Sequence, residues 1–104
     1  AQQSCPIAST LEIAGEKWSL LILRDIFRGL HKFSELHQNL GCPKNLLSAR
    51  LKTLEAAGII RREEYREAGS RSRASYHLTE AGEDLLPVLA ALQSWGEKHL
   101  RQPQ

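Results

Sequence analysis

Apolar residues recur at helical spacing through the first part of the chain, with glycines between the runs. The pattern predicts a first helix over residues 8–14, ended by Gly15. A second helix is predicted over residues 17–28, and its apolar positions cover nearly every face, which is typical of a helix buried on most sides. Gly29 then stands where a left-handed residue commonly ends a helix. The chain therefore opens with a short helix and a core helix.

Two further short helices are predicted on either side of Gly41 and Cys42. Ser34 is placed to cap the third helix, because its hydroxyl can accept a hydrogen bond from an unpaired backbone N–H. Pro43 suits the first turn of the fourth helix, which runs to about Ala57, because a proline loses no hydrogen bond there. Two short helices joined by a tight turn are typical of a helix-turn-helix.

The remaining pattern changes from helical to extended and back. Two extended segments, residues 61–66 and 71–78, flank a Gly-Ser tip and predict a β-hairpin with arginine-rich arms. Thr79 is placed to cap a final helix to about Leu100, in which Pro87 predicts a kink or a local break. This order of elements predicts a mainly α (α+β) fold, a winged helix-turn-helix whose two-stranded hairpin is the wing.

The composition is that of one globular domain covering residues 1–104. Apolar residues make up 41% of the chain, but no run approaches the roughly 18 residues of a membrane helix. The N-terminus lacks the layout of a signal peptide, and two cysteines do not make a disulfide framework. We therefore expect a cytoplasmic protein without a membrane partner. Because so small a domain has a thin core, and its last helix a long apolar stripe, we also expect a homodimer.

The charges are distributed unevenly, although the net formal charge is only +2. Between residues 43 and 78 eight basic residues accompany four acidic ones, whereas acidic residues are in excess elsewhere. A basic central segment between acidic ends fits a surface that faces phosphates, and it also fits a solvated surface of mixed charge. Charge alone leaves both interpretations open.

The predicted fourth helix has one face suited to a core and another suited to DNA. Leu47, Leu51 and Leu54 share the apolar face at helical spacing. Short polar and basic side chains elsewhere on the helix can contact base edges or phosphates in a major groove, although an ordinary amphipathic helix with a solvated side has the same pattern. The candidate DNA-contacting residues of this helix are Lys44, Asn45, Ser48, Ala49, Arg50 and Lys52.

The predicted wing supplies two further candidate DNA contacts, Arg71 and Arg73. They alternate with small residues, so the period of a strand puts both on one side. Arginines at a hairpin tip can enter a minor groove or grip phosphates, and charges also protect an unpaired strand edge. The neighbouring helix-turn-helix favours the DNA interpretation.

Several motifs resemble those of the HxlR-type winged-helix regulators: Cys5-Pro6, GEKW at 15–18, LILR at 21–24, FSEL at 33–36, LSARLKTL at 47–54, GII at 58–60, YHLT at 76–79, AG at 81–82, LLPVL at 85–89 and WG at 95–96. The resemblance covers about Cys5 to Trp95. It implies a symmetric homodimer joined through its first and last helices, which regulates transcription by binding DNA with the fourth helix and the wing. Two-fold symmetry in turn implies an inverted-repeat operator. The chain departs from the family at its wing tip, where proline is common, and at Cys42, where an aliphatic residue is usual.

The resemblance also places Cys5 where some family members sense oxidants or electrophiles, so a small electrophile or oxidant is a candidate partner. Sensing needs a thiolate, which Lys17 or a helix start could favour, whereas most free cysteines are small buried apolar residues. Cys42 lies near the start of the recognition helix, where the helix dipole favours a thiolate. A bridge between Cys5 and Cys42 is a further alternative.

Metal, cofactor and enzyme chemistry find little support in the sequence. His37 and Cys42 are the closest candidate metal ligands, and neither CxxC nor HxxxH accompanies them. The chain has no nucleophile elbow, no glycine-rich phosphate loop and no paired carboxylates in an apolar setting. We therefore expect no cofactor, no metal and no enzymatic activity. The alternative to DNA binding is a winged helix that binds proteins, for which an apolar or acidic recognition face would be expected.

Overall fold

A computed structural model describes residues 5–66, 69 and 72–100, and it has the element order that the sequence predicts. The helices and strands are α1 (Pro6–Ala14), α2 (Lys17–Phe27), α3 (Phe33–Leu40), α4 (Lys44–Ala56), β1 (Ile60–Arg66), β2 (Ser72–Leu78), α5 (Glu80–Glu83) and α6 (Leu86–His99). The winged-helix fold is therefore confirmed. Among the described residues, no helix is both long and apolar enough to cross a bilayer.

Helix α2 is the centre of the fold, as its apolar sequence predicts. Ile22, Leu23 and Ile26 are buried, and the helix contacts α3, α4, β2 and α6. Its N-terminus is capped by Glu16, whose carboxylate accepts hydrogen bonds from the backbone N–H groups of Trp18 and Ser19 at 2.9 and 3.3 Å. The remaining core is supplied by Leu36, Cys42, Leu47, Leu51, Leu54, Ile59 and Ile60.

Helix α3 does not begin where the sequence predicts. Ser34 lies inside the first turn, and the N-cap is Lys32. The carboxylate of Glu35 turns back and accepts hydrogen bonds from the backbone N–H groups of His31 and Lys32, both at 3.2 Å. The helix starts here because the preceding backbone is already held in extended form: the carbonyl of His31 accepts a hydrogen bond from Tyr76 in β2 at 2.8 Å.

Helix α4 follows a turn at Gly41, whose φ of +73° lies in the left-handed region that glycine adopts most readily. Pro43 is the N-cap of α4, one position before the first turn where the sequence placed it. Leu47, Leu51 and Leu54 are all buried, which confirms the predicted core face of this helix. The opposite face of α4 is consequently directed to solvent.

The wing is an antiparallel pair in which Ile60 lies opposite Leu78 and Arg66 lies opposite Ser72. Its base is anchored in the core through buried Ile60. An isolated antiparallel β-bridge between Lys32 and Ser75 pairs the segment before α3 with β2. The pairing therefore fixes the hairpin against both the helix-turn-helix and the core.

The C-terminal helix is broken into α5 and α6, as Pro87 predicts, but the break precedes the proline. Pro87 occupies the first turn of α6, where its missing N–H costs no hydrogen bond. Helix α5 lies very close to the start of the wing: a Cβ at Gly82 would stand 2.3 Å from the carbonyl oxygen of Ile59. Only glycine allows this approach.

A buried carboxylate links α2 to α3. The side chain of Asp25 is fully buried, and it accepts hydrogen bonds from Arg24 Nε at 2.9 Å and from Asn39 Nδ2 at 2.7 Å. A buried charge is tolerated because both carboxylate oxygens have partners. Asn39 lies near the end of α3, so this contact fixes the angle at which the helix-turn-helix leaves the core helix.

We predict that Asp25→Ala lowers the free energy of unfolding by about 2–3 kcal/mol, because it leaves the Asn39 amide without its charged partner. Asp84→Ala is the matched control, since Asp84 is exposed, and it should change stability by less than about 0.5 kcal/mol. Urea unfolding at one protein concentration, followed by circular dichroism, measures both. Equal stabilities of the two variants would contradict a structural role for Asp25.

Candidate nucleic-acid interface

The solvent-facing side of α4 carries most of the candidate residues. Lys44, Asn45, Ala49 and Lys52 are exposed, and Ser48 is half-buried. At the helix start, the side-chain oxygen of Asn45 accepts a hydrogen bond from the backbone N–H of Leu46 at 3.0 Å. The leucines packed behind this face hold it in place.

A hollow of about 400 Å³ separates α4 from the wing. The helix lines it with Ser48, Lys52 and Glu55, and the two strands line it with Arg62 and Tyr76. Arg62 and Tyr76 are opposite each other in the strand register, so they share one face of the hairpin. Helix α4 and the wing therefore share one polar surface.

A second hollow, of about 520 Å³, continues from the first because Arg62 and Tyr76 line both. It reaches from the start of α3 to the start of α4 and the middle of the wing. Its basic residues are Lys32, Lys44, Arg62 and Arg73, and its aromatic residues are Phe33, His37, Tyr65 and Tyr76. The two hollows bring three candidates of α4, Lys44, Ser48 and Lys52, to the same side of the molecule as the candidate Arg73 of the wing. The other α4 candidates, Asn45, Ala49 and Arg50, line neither hollow.

Arg73 is exposed and lies opposite Tyr65 in the hairpin. Arg71 lies outside the described residues, as does most of the wing tip. The sequence pattern does not identify Arg62, Lys32 or Tyr65 as site residues. Their proximity to α4 depends on the strand register and on the Lys32–Ser75 bridge, which the sequence pattern does not specify.

Arg50 differs from the other α4 candidates. Its Nε donates to Glu16 Oε1 at 2.9 Å, so it joins α4 to the N-cap of α2. Partial desolvation raises the pKa of the Glu16 carboxyl, but the hydrogen bonds from Arg50 and from two backbone N–H groups, with the positive charge of Arg50, outweigh it. The pKa of Glu16 consequently lies below its ordinary value, and the ion pair persists at neutral pH.

The two cysteines occupy contrasting positions, and no disulfide joins them. Cys42 is only 2% exposed and belongs to the core cluster, so the structure fits the buried apolar role and not direct attack on this thiol by a small electrophile. Cys5 is exposed and is the N-cap of α1. A bridge between an exposed terminal thiol and a core thiol would require Cys42 to leave the core.

The histidines do not form a metal site: across the residues that the structure describes, no group of three or more His, Cys, Asp or Glu side chains could hold an ion. His31 and His77 stack instead, with ring centroids 4.5 Å apart, at the base of the wing. Burial lowers the pKa of His77, and the charges of His31 and Arg61 lower it further. The lowered pKa favours the neutral form of His77, and the stacked pair helps to seat the wing.

The sequence is similar to those of known transcriptional regulators. The HxlR-like helix-turn-helix family matches residues 13–104. An uncharacterised HTH-type transcriptional regulator of Mycobacterium tuberculosis is 41% identical over 98 residues, which are 94% of this chain and 61% of that protein. The chain therefore spans less than two thirds of the length of this relative.

Solved structures of transcriptional regulators are similar to this chain. PA1607, assigned as a transcription factor, superposes with a TM-score of 0.86 at 42% identity, covering 99% of this chain and 70% of the other. The redox regulator HypR in its reduced form has a TM-score of 0.80 at 30% identity, covering 90% of this chain and 92% of the other. With its helix-turn-helix and wing in the same arrangement, the chain belongs to the HxlR-like family of helix-turn-helix transcriptional regulators.

Proposed function

We propose that this transcriptional regulator is a homodimer that binds an inverted-repeat operator through α4 and the wing. The observation that carries the proposal is the exposed polar and basic face of α4, which shares a continuous surface with Arg62 and Arg73 of the wing. Such a face matches the base edges and phosphates of a major groove. The proposal includes a cytoplasmic location, because a regulator that binds DNA must reach the chromosome.

The proposed contacts divide into two classes. Asn45 and Ser48 have the short donors and acceptors that read base edges, while Ala49 allows close approach of the helix. Lys44, Lys52, Arg71 and Arg73 supply charge for phosphates or for the minor groove. We give Arg50 a positioning role, because Glu16 holds its guanidinium. The face does not have the apolar or acidic character expected of a protein-binding winged helix.

Dimerisation is supported by apolar surface that one chain leaves uncovered. None of the residues of α6 is buried, and Leu92 and Trp95 are 52% and 58% exposed. Helix α1 adds Ile7 and Leu11, at 72% and 59%. Exposed apolar surface concentrated on two terminal helices marks an interaction surface, and a second copy of the chain covers it in the proposed dimer.

The symmetry of that dimer determines the form of the operator. A two-fold axis through the α1 and α6 surfaces presents two copies of α4 to the same face of the duplex. The half-sites are then inverted and lie about 10 base pairs, or a multiple, apart from centre to centre. Selection from a random DNA library followed by footprinting tests this directly, and protection of a single asymmetric half-site would contradict it.

Cys5 is the proposed input of the regulator. It is exposed at the N-terminus of α1, one of the two helices of the proposed dimer surface. An exposed thiol is accessible to reagents in solution, and a cysteine reacts through its thiolate form. HypR, to which the chain is similar, is a redox regulator. An oxidant or electrophile that modifies Cys5 would change the spacing of the two recognition helices.

For DNA recognition, we predict different effects from the two classes of contact. Asn45→Ala should cost about 1–3 kcal/mol on the selected operator and relax its sequence preference, because a base contact is lost. Arg73→Ala should weaken binding to all sequences and reduce the salt slope by about one. Fluorescence anisotropy over a salt series measures both. Arg28→Ala is the control, since Arg28 lines a groove against α6 instead; equal effects of all three variants would contradict the assignment.

For assembly, we predict that Leu92→Glu converts the dimer to a monomer, because it places a charge in the apolar surface of α6. Ser94→Glu is the matched control on the same helix, displaced by about 200° around the helix axis, and should remain dimeric. Analytical ultracentrifugation at micromolar concentration distinguishes the species. A wild-type protein that sediments with the 11.7 kDa mass of one chain would contradict the dimer.

For the thiol input, we predict that an oxidant or an electrophile changes the operator affinity of the wild type and of Cys42→Ser but not of Cys5→Ser. The reason is access, since Cys5 is exposed and Cys42 is in the core. Mass spectrometry confirms which thiol is modified, and anisotropy gives the affinity. If wild-type affinity is unchanged after Cys5 is fully modified, then the input lies elsewhere.

A further inference from the structure

The larger hollow between the helix-turn-helix and the wing combines positive charge with aromatic walls. We call it the basic-aromatic pocket, and its volume is about 520 Å³. Lys32, Lys44, Arg62 and Arg73 approach it from α3, α4 and both strands of the wing, and none of the described residues that line it is acidic. Arg62 also lies 3.7 Å from Glu64 on the same strand, a contact that an incoming anion would share or replace. Cations from four segments therefore converge on one concavity.

The aromatic walls are held in place by the fold. Phe33 and Tyr76 pack against the core cluster, so their rings are fixed from behind. Tyr65 lies directly opposite Arg73 in the hairpin register. The Nζ of Lys32 stands 5.4 Å from the centre of the Tyr65 ring, a cation–π geometry that shows how this ring presents its face to a positive group. Flat, electron-rich surfaces thus alternate with positive charge around the pocket.

This combination exceeds what DNA binding requires. A surface that meets a duplex needs cations for the phosphates, but the bases of an intact duplex are stacked and paired, and they offer no free ring to Phe33, Tyr65 and Tyr76. The pocket volume lies in the range of small-molecule sites, about 300–1,000 Å³. Guanidinium groups bind planar carboxylates through two parallel hydrogen bonds, and aromatic side chains stack on planar rings.

We propose that the basic-aromatic pocket binds a planar aromatic carboxylate of one or two rings, with the carboxylate on Arg62 or Arg73 and the ring against Tyr65 and Tyr76. A second step rests on the proposed function. Because Lys44 and Arg73 are also proposed DNA contacts, an anion in the pocket neutralises charge that the duplex needs and competes with DNA. The pocket is thereby a chemical input separate from Cys5.

The first experiment measures binding to the full chain without DNA, by isothermal titration calorimetry with three probes. 2-Naphthoate carries both features, 2-naphthalenemethanol lacks the charge, and acetate lacks the ring. We expect one 2-naphthoate per chain, and at least about tenfold weaker binding of each of the other two probes. Equal binding of 2-naphthoate and 2-naphthalenemethanol, or no binding of 2-naphthoate, overturns the proposal.

Variants then locate the site. Tyr65→Leu and Arg73→Gln should each weaken 2-naphthoate by about tenfold. Arg66→Gln, an exposed cation on the same strand as Tyr65 that does not line the pocket, should bind as the wild type does. Circular dichroism verifies that each variant is folded. If folded Tyr65→Leu and Arg73→Gln both keep wild-type affinity, the ligand binds elsewhere and the proposal fails.

A separate arm tests competition on operator DNA. We expect 2-naphthoate to weaken DNA binding by the wild type, and the same concentration to have less effect on Tyr65→Leu. Binding of 2-naphthoate by a chain that binds no DNA would support the pocket and overturn the proposed function. Simultaneous binding of both, with no change in DNA affinity, would support the pocket as a ligand site and overturn its competition with DNA.

Discussion

The packing of three leucines of α4 against the core is the interaction on which the rest of the structure depends. Leu47, Leu51 and Leu54 are almost fully buried. The burial of each of these side chains stabilises the fold by about 2 kcal/mol. The rotation of α4 about its own axis is fixed as a result. The position of the candidate surface follows, because a rotation that exposed a leucine would carry Ser48 and Lys52 away from the wing.

The elements themselves could be predicted because each has a local cause. Helix α2 is apolar on most faces, Gly41 supports the turn, and Pro87 interrupts the last helix, so periodicity and backbone preference were sufficient. Ser34 shows the limit of local signals. A serine is a good N-cap in general, but here α3 begins before Ser34. The cause is the hydrogen bonding of Glu35 and the pairing of His31 with β2. That pairing joins residues far apart in the sequence, so a local pattern does not reveal it.

The recognition surface could be predicted only in part. The exposed side of α4 followed from its leucine spacing, whereas Arg62, Lys32 and Tyr65 joined the surface through strand register and a bridge to the edge of the sheet. Arg50 shows the opposite case. Its charge and its helix made it a candidate for DNA, but Glu16, which caps α2, engages it from another part of the chain. A sequence pattern records which side chains are polar and not which polar side chains already have partners.

The Glu16–Arg50 contact also joins the segment near the proposed thiol input to the proposed DNA-binding helix. Glu16 lies just after α1, which carries Cys5 at its start, and it caps α2 through the backbone of Trp18 and Ser19. Arg50 lies in the middle of α4, and α1 itself contacts α4. The Glu16 carboxylate both caps α2 and pairs with Arg50. Movement of α1 relative to α4 would therefore strain these two contacts. Because the cap holds Glu16 to the core helix, that strain falls on Arg50 and thus on α4, the proposed recognition helix. The contact would give the proposed thiol input at Cys5 a physical route to the proposed DNA-binding surface.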